Sequence, residues 1–594
     1  MRKLSSFIST IFNHNYFLVF IVIACSYTQI TESDRYFGWT NPKNTLPENN
    51  LTINTDGSGY YAYLPQWFIY SDSPHFSYLP EICKKYHTDK FASGIRMTNK
   101  NKRIDKYFIG TPICISPFFF INHIVQKARG KDSDGYSKSY QFSISISALF
   151  YSLLGIIGLV RLLKFFNLSN SIISLMVVFT AIGTSVNFYA SFNPSFSHIY
   201  SFCAVTWFLY FSKRWAIYKK ANTIIWLGFL LGLIFIIRPT NIFIFLITPF
   251  LFNNRLEFKN IVYELFTKFK SKILISFLLF SGLLFLQLYN VHSQIGKWTF
   301  NTYSDEHFDF LLNPKWFEVL FGYGKGFFIY NPIMILLIPS IIWGLFKRNY
   351  LVLGFFLFFV VITYLTSSWW CWWYGGGLGM RPFVDFTSLF ILIIALFYDS
   401  IHTCLKSIVF LFSFFVVYFY QILQFQFNRN ILHYDLMTKE KFWSIFLKTE
   451  KRYNWMSHFE DFHIKGTNKS QVVRFKPKEF TMTFESKDPL ISIKFPSNWY
   501  SNKLGVRFQG EFFLSNPESN PSLIMFFYKK GKVIKQIDQY FGNRIDELNE
   551  FYPFSKDYID TTHYSNIDSV QLLLTRGYPI TKAKDLKCTF YSLK

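Results

Sequence analysis

Long apolar blocks alternate along the chain with short polar clusters, and the length of the blocks sets its class. A helix needs ~20 mainly apolar residues to cross ~30 Å of hydrocarbon, and several blocks reach or approach that length. The first, about 16–30, follows Arg2 and Lys3; the Thr31-Glu-Ser-Asp-Arg stretch behind it is too polar and bulky for a signal-peptide cleavage site. It reads as a retained anchor. Further blocks lie near 140–160, 170–188, 197–212, 222–237, 239–253, 273–290, 329–346, 349–367, 383–398 and 407–425. Together they predict about eleven crossings.

The polar clusters orient the bundle. Arg161 with Lys164, then Lys213, Arg214, Lys219 and Lys220, then Arg255, Lys259, Lys268, Lys270 and Lys272, then Lys347 with Arg348, and finally Lys406 occupy alternate connections. All share one side if the N-terminus is cytoplasmic, as the excess of Lys and Arg in cytoplasmic loops requires. The stretch 226–252 is nearly unbroken apolar but has basic flanks at both ends, so it must cross an even number of times. Two short helices meeting at Arg238-Pro239-Thr240-Asn241 meet that demand, since proline lacks a backbone donor and arginine is costly in lipid.

Three larger pieces then lie outside the cell: a first loop at 31–138, a second at 291–328, and the tail from 426. Within the first loop, 107–121 is apolar but short and holds Pro112 and Pro117, which fits a helix lying in the membrane interface. After Gly466 the period changes to two. Val472-Val-Arg-Phe-Lys, Phe480-Thr-Met-Thr-Phe-Glu, Leu490-Ile-Ser-Ile-Lys-Phe and Val570-Gln-Leu-Leu-Leu alternate like half-buried strands, with turns such as Asn516-Pro-Glu-Ser-Asn-Pro between them. The fold class predicted is an α-helical polytopic membrane protein over 1–450 with an extracytoplasmic β-sandwich over 467–594, seated in a cell (inner or plasma) membrane.

Composition agrees: 16% of residues are charged, where a soluble chain carries about a quarter. The net charge of +25 sits largely in the short loops, where it orients the bundle, and no arginine-rich arm or zinc-finger spacing points to nucleic acid. Seven cysteines include no CxxC pair. Cys83 and Cys114 share the first loop, where a disulfide and two unpaired thiols both fit.

Six groups with possible chemistry fall on the external side. Asp56 opens an aromatic stretch with Tyr60 and Tyr61, where a carboxylate serves as a general base or as a helix N-cap. Lys106 opens the interfacial segment and either binds phosphate or snorkels to headgroups. His198 lies between two spans, and Arg238 at the short-helix turn. Lys325 sits among the glycines of Phe321-Gly-Tyr-Gly-Lys325-Gly, which permit close approach to an anion. The densest cluster is Trp369-Trp370-Cys-Trp372-Trp373-Tyr374-Gly-Gly-Gly-Leu-Gly-Met-Arg381-Pro-Phe-Val-Asp385. Tryptophan faces, Trp373 among them, suit sugar rings, and a guanidinium binds phosphate bidentately. Arg381 and Asp385, four apart, alternatively pair on one helix face. Cations outside run against the orientation rule, and a phosphate-bearing lipid supplies a reason for them.

With these residues the chain resembles the GT-C class of membrane glycosyltransferases, whose members include protein O-mannosyltransferases and aminoarabinose transferases of lipid A. The resemblance covers roughly 1–450. Asp56 with Tyr60-Tyr61 matches the class's acidic residue before a juxtamembrane helix, and Lys106 with Pro112 resembles its lysine-proline segment. Arg238-Pro-Thr-Asn241, Lys325-Gly-Phe-Phe-Ile-Tyr-Asn-Pro332, Gly375-Gly-Gly-Leu-Gly-Met-Arg381-Pro-Phe-Val-Asp385 and His433-Tyr-Asp-Leu-Met-Thr-Lys439 resemble stretches of bacterial members.

The resemblance implies transfer of a sugar from a polyprenyl-phosphate carrier to a glycan, lipid or protein acceptor, with inversion. Asp56 is then the base, and Lys106, Arg238, Lys325 and Arg381 bind phosphate with Tyr60, His198 and Trp373 nearby. No metal ligand is assigned, and a divalent cation stays open because the class's common Asp-Glu pair is Asp56-Gly57 here. Two rival readings are a polysaccharide polymerase or ligase, which uses external arginines and a histidine, and a transporter of lipid-linked saccharides. The latter calls for ionisable groups at mid-bilayer and repeated halves, neither of which the chain displays.

Overall fold

The computed structural model describes residues 14–40, 51–71, 76–97, 103–303, 306–433 and 437–450, and beyond these the backbone of nine strands between Val473 and Leu593. Arg2, Lys3, part of the 433–439 stretch and the 516–521 turn lie outside the described residues. Two compact units emerge, Met1–Gln421 and Ile422–Lys594.

The first unit is helical. Among the described residues six helices are long and apolar enough to cross a membrane: Asn15–Phe37, Lys138–Lys164, Lys270–Ile295, Tyr350–Ser368, Arg381–Ser400 and Thr403–Asn428. A seventh span results if Asn170–Gly183 and Ser185–Ser191, bent by 57°, count together. The protein is therefore a multi-pass membrane protein.

Each of the other predicted crossings falls on a helix that misses this standard. Asn222–Ile237, Pro239–Leu251 and Pro332–Phe346 are apolar but short, and His198–Tyr218 carries Lys213 and Arg214. At ~1.5 Å per residue a 16-residue helix reaches only ~24 Å. Short helices of this kind are tolerated where protein, rather than lipid, surrounds their ends.

The expected break at Arg238-Pro239 is present: the Asn222–Ile237 helix stops, and Pro239 starts a tighter 3-10 helix to Leu251. Proline fits that first position because its missing N–H has no intrahelical partner there anyway. The bend at Thr184 is also satisfied internally. The Asn331 amide oxygen accepts from the Ser185 N–H at 2.8 Å and from the Ser185 hydroxyl at 2.9 Å.

In the first loop, Thr55–Phe68 is a helix and Gly110–Ala128 a second one, starting within the predicted interfacial segment. Tyr63 donates to the Tyr107 carbonyl at 2.7 Å, fastening the first helix to the segment that leads into the second. Cys83 and Cys114 are both free, so the disulfide alternative is corrected; Cys114 is buried in the Gly110–Ala128 helix.

The segment carrying Lys106 is braced from the side by the Lys270–Ile295 helix. Gln294 accepts from the Asp105 N–H at 3.0 Å and Gln287 from the Ile109 N–H at 2.8 Å. Seven residues apart, the two glutamines lie on one face two turns from each other. The opposite, lipid-type face exposes Leu274, Phe277 and Leu278.

The second unit holds a four-stranded and a five-stranded antiparallel sheet. The four alternating runs singled out above contribute Val473–Phe475, Phe480–Met482, Ile491–Lys494 and Ser569–Thr575.

Gly110 is where the first loop docks onto the bundle: a Cβ there would lie 2.6 Å from the Ile236 carbonyl oxygen. Backbone cannot yield as a side chain can. Gly110→Ala is expected to destabilise the protein by about 1–3 kcal/mol, read as a lower thermal midpoint in detergent. An unchanged midpoint would contradict this docking.

Candidate functional site

Asp56 lies in the first turn of the Thr55–Phe68 helix, and Asn54, not Asp56, holds the cap position. The carboxylate is thus released from capping. Thr55 before it takes a left-handed backbone with φ 44°, a conformation that costs a non-glycine residue on the order of 1–3 kcal/mol. Behind it, Gly57 leaves no room for a side chain, because a Cβ would overlap Ser195 Oγ.

Across from Asp56 stands Arg381, whose Nη1 is 2.7 Å from Asp56 Oδ2. Arg381 does not pair with Asp385, and helix geometry supplies the reason. Residues 381–386 form a 3-10 helix. With three residues per turn, positions four apart diverge by about 120° rather than the about 40° of an α-helix. One turn therefore sends Arg381 one way and Asp385 another.

Asp385 points inward and is fully buried. His198 Nδ1 lies 2.8 Å from its Oδ1, the Asn241 amide donates to its Oδ2 at 2.5 Å, and Arg238 Nε sits 3.4 Å from the same oxygen. Arg238 Nη1 also approaches His198 Nε2 at 3.4 Å. A guanidinium only donates, so Nε2 offers its lone pair and the ring proton sits on Nδ1. His198 is held as a neutral link in this cluster.

Asp56, Tyr60, Lys106, Arg238 and Arg381 line one cavity of about 360 Å³. Its walls are aromatic: Tyr107, Phe108, Phe300, Tyr303, Phe308, Trp369, Trp370 and Tyr374. Tyr60 packs on Tyr107 with ring centroids 4.5 Å apart. The volume falls in the range that holds a small ligand.

Three of the sequence-derived candidates stand apart from this wall. His198 is in the Asp385 cluster, buried Lys325 donates to the Gly377 carbonyl, and Trp373 packs edge-on against Trp370 and Trp372. Lys325 thus fastens the glycine-rich turn that leads to Arg381.

Glu306 also lines the cavity, and nothing in the sequence marked it. It accepts from Lys106 at 2.7 Å and pairs with Arg96. Its only signal was its place in the second external loop. Asp105, next to Lys106, is fully buried with one carboxylate oxygen unpartnered among the described residues. Burial pushes its pKa well above the usual carboxylate range, against the pull of the Tyr107 N–H and Lys106.

Asp56 behaves in the opposite way. Burial would raise its pKa, but Arg381, a hydrogen bond from Tyr107 and Lys106 together hold it below its ordinary value. The groups facing Asp56 are cations and a hydroxyl, and position 57 has no side chain. Among the described residues, this surrounding of Asp56 suits an anion rather than a divalent cation.

No family model matches the chain, and no curated protein sequence does. Among solved structures, the archaeal oligosaccharyltransferase AglB from Archaeoglobus fulgidus, in complex with an inhibitory peptide and a dolichol-phosphate, is similar at a TM-score of 0.40 and 11% identity, over 69% of this chain and 55% of that one. The apo form of an oligosaccharyltransferase from Archaeoglobus fulgidus is similar at 0.39 and 11%, over 70% and 56%. The chain spans a little over half the length of these structures. At such distance the function has to be read from the site.

The two carboxylates differ in kind, and stability separates them. Asp385→Ala strands Arg238 and is expected to cost about 3–5 kcal/mol. Asp56→Asn, at a half-buried pair, should cost about 1 kcal/mol or less. Denaturant melts of the two variants check this, and equal losses would contradict it.

Proposed function

We propose that the protein is a glycosyltransferase that moves a sugar from a polyprenyl-phosphate carrier to an acceptor hydroxyl with inversion. The observation that carries this reading is the shared cavity: the carboxylates Asp56 and Glu306 and three cations, Lys106, Arg238 and Arg381, among aromatic faces. Asp56 takes the acceptor proton as the acceptor oxygen bonds to the anomeric carbon. The bond from that carbon to the phosphate oxygen breaks, and the carrier leaves with the electron pair. Phosphate is a good leaving group, so the developing charge needs fixed cations more than an acid. Arg381 meets it with a planar fork and Lys106 as a point charge.

Resting Asp56 is a weak base because Arg381 and Lys106 lower its proton affinity. Phosphate bound at those cations offsets their charge and raises that affinity, so donor binding prepares the base. On this reading the cavity opens to the extracytoplasmic side and the N-terminus is cytoplasmic. The nine-stranded tail is a β-sandwich that binds carbohydrate or supports a lid, an assignment made on fold-level analogy. The acceptor is a glycan, lipid or protein bearing a hydroxyl.

Purified protein incubated with radiolabelled polyprenyl-phosphate sugars should transfer label to an acceptor fraction. Asp56→Asn should lower the transfer rate about 10²–10⁴-fold while leaving donor binding nearly intact. A folded Asp56→Asn variant with full activity would remove the base from this mechanism.

Burial, aided by Arg96, holds Lys106 down at about 8, although Asp56 draws it upward. Glu306, 2.7 Å away, favours the charged form, and deprotonation falls at about pH 8. The sign follows from a depressed ammonium: charge is present below that pH and lost above it. The kcat/KM for donor should therefore fall on the alkaline side, and Lys106→Gln should abolish that limb along with most donor affinity. A flat profile to pH 10 in the unaltered protein would contradict a phosphate-binding Lys106.

A further inference from the structure

Residues 306–321 run from the cavity to the protein's outer surface. Glu306 and Phe308 line the cavity, while Leu311 and Phe317 are exposed and Leu312 is completely so. Such a run of apolar side chains facing outward asks for a partner.

The loop is nonetheless fixed in place. The Trp370 N–H donates to the His307 carbonyl at 2.9 Å, the Phe310 N–H to Ser368 at 3.0 Å and the Lys315 N–H to Ser367 at 3.0 Å. Tyr364 Oη donates to the Leu311 carbonyl at 2.9 Å. Three of these bonds tie the loop to the end of the Tyr350–Ser368 helix, which is long and apolar enough to cross a membrane, and the fourth to Trp370 just beyond it.

That helix exposes Leu353, Phe356, Leu357 and Val360, a stripe at the three- and four-residue spacing of one helical face. The next turn of the stripe is Tyr364, the residue bonded to the loop. Leu311 and Leu312 thus prolong the face that a span turns to lipid. Trp316 packs against Tyr364 with centroids 6.0 Å apart, and Lys315 lies over Phe310. Trp, Tyr and Lys together are the residue types that settle at headgroup depth. Asp309 and Glu318, also exposed, are the acidic groups of this stretch.

We propose that the 308–321 loop is a wedge seated in the bilayer surface, with Leu311, Leu312 and Phe317 in phospholipid beside the Tyr350–Ser368 span. The occupant is lipid because the exposed face continues that of a spanning helix without a break. The wedge sets the cavity mouth at the depth of membrane-borne chains. In the reading above, on which this last step rests, it lets a polyprenyl carrier deliver its phosphate without leaving the membrane.

The test uses the full chain in vesicles containing a radiolabelled phospholipid, with a benzophenone amino acid in place of Leu312 or Phe317. Photolysis should label lipid. A crosslink to a second copy of the chain, or no lipid adduct, would overturn the wedge. Leu312→Asp with Phe317→Asp should lower transfer from a long-chain donor in vesicles roughly tenfold and spare a short-chain, water-soluble donor. An equal fall with both donors would overturn its role in delivery. If the unaltered protein transfers nothing, the proposed function fails while the crosslink still decides the wedge.

Discussion

A charge that cannot be left alone organises this protein. Asp385 is fully buried, and a buried carboxylate without partners is untenable. It draws together three segments distant in sequence: the start of the His198–Tyr218 helix, the Arg238–Asn241 break and the 3-10 turn at 381–386. Arg238 is held by Asp385 at Nε and by His198 at Nη1, and the same residue lines the cavity. Because Asp385 faces inward on a turn of three residues per revolution, Arg381 faces the cavity. The buried cluster is therefore structural, yet it aims two of the three cations proposed to bind phosphate.

The cavity itself is arranged as pairs that a ligand must exchange. Asp56 is matched by Arg381, and Glu306 by Lys106 and Arg96. None of these groups is fully buried, so each pair is worth less than the Asp385 cluster and gives way more readily. A phosphate offers the cations a better-placed anion than either carboxylate, since it brings several acceptor oxygens at once. Paired in the absence of donor, the site avoids naked charge. On the reading proposed above, donor binding would free the Asp56 carboxylate beside the anomeric carbon.

Much of this was legible in the residues, for reasons that can be named. Block length located the long apolar helices, six of them of span length among the described residues, because lipid punishes unpaired polar groups regardless of tertiary detail. Asp56 stood out as a carboxylate before an aromatic stretch, and Lys106, Arg238 and Arg381 because cations expected outside run against the orientation rule; the four share one cavity. His198 and Lys325 obeyed the same logic but serve the scaffold, one in the Asp385 cluster and one on the Gly377 carbonyl. Spacing cannot tell an inward cation from one facing a cavity. Nor could it reveal that 381–386 is a 3-10 turn, on which the Arg381–Asp385 spacing loses its usual meaning. Glu306 lay in a loop with no periodicity, where only three-dimensional contact gives a residue its role.

The helices that fell short of a full span sharpen the link between fold and site. Asn222–Ile237 stops before Arg238, and Ile237, Arg238, Pro239 and Thr240 all line the cavity. The bent pair at Thr184 is held by Asn331, in the stretch that also carries Lys325. Irregular backbone at membrane depth survives only where protein or a cavity surrounds it. A bundle that must house a polar site therefore has to break its helices around that site. Arg238-Pro239 meets both conditions at once: the proline ends the helix, and the arginine that would be costly in lipid finds Asp385 on one side and the cavity on the other. In this chain the shortage of apolar length is itself a mark of where the polar cavity sits.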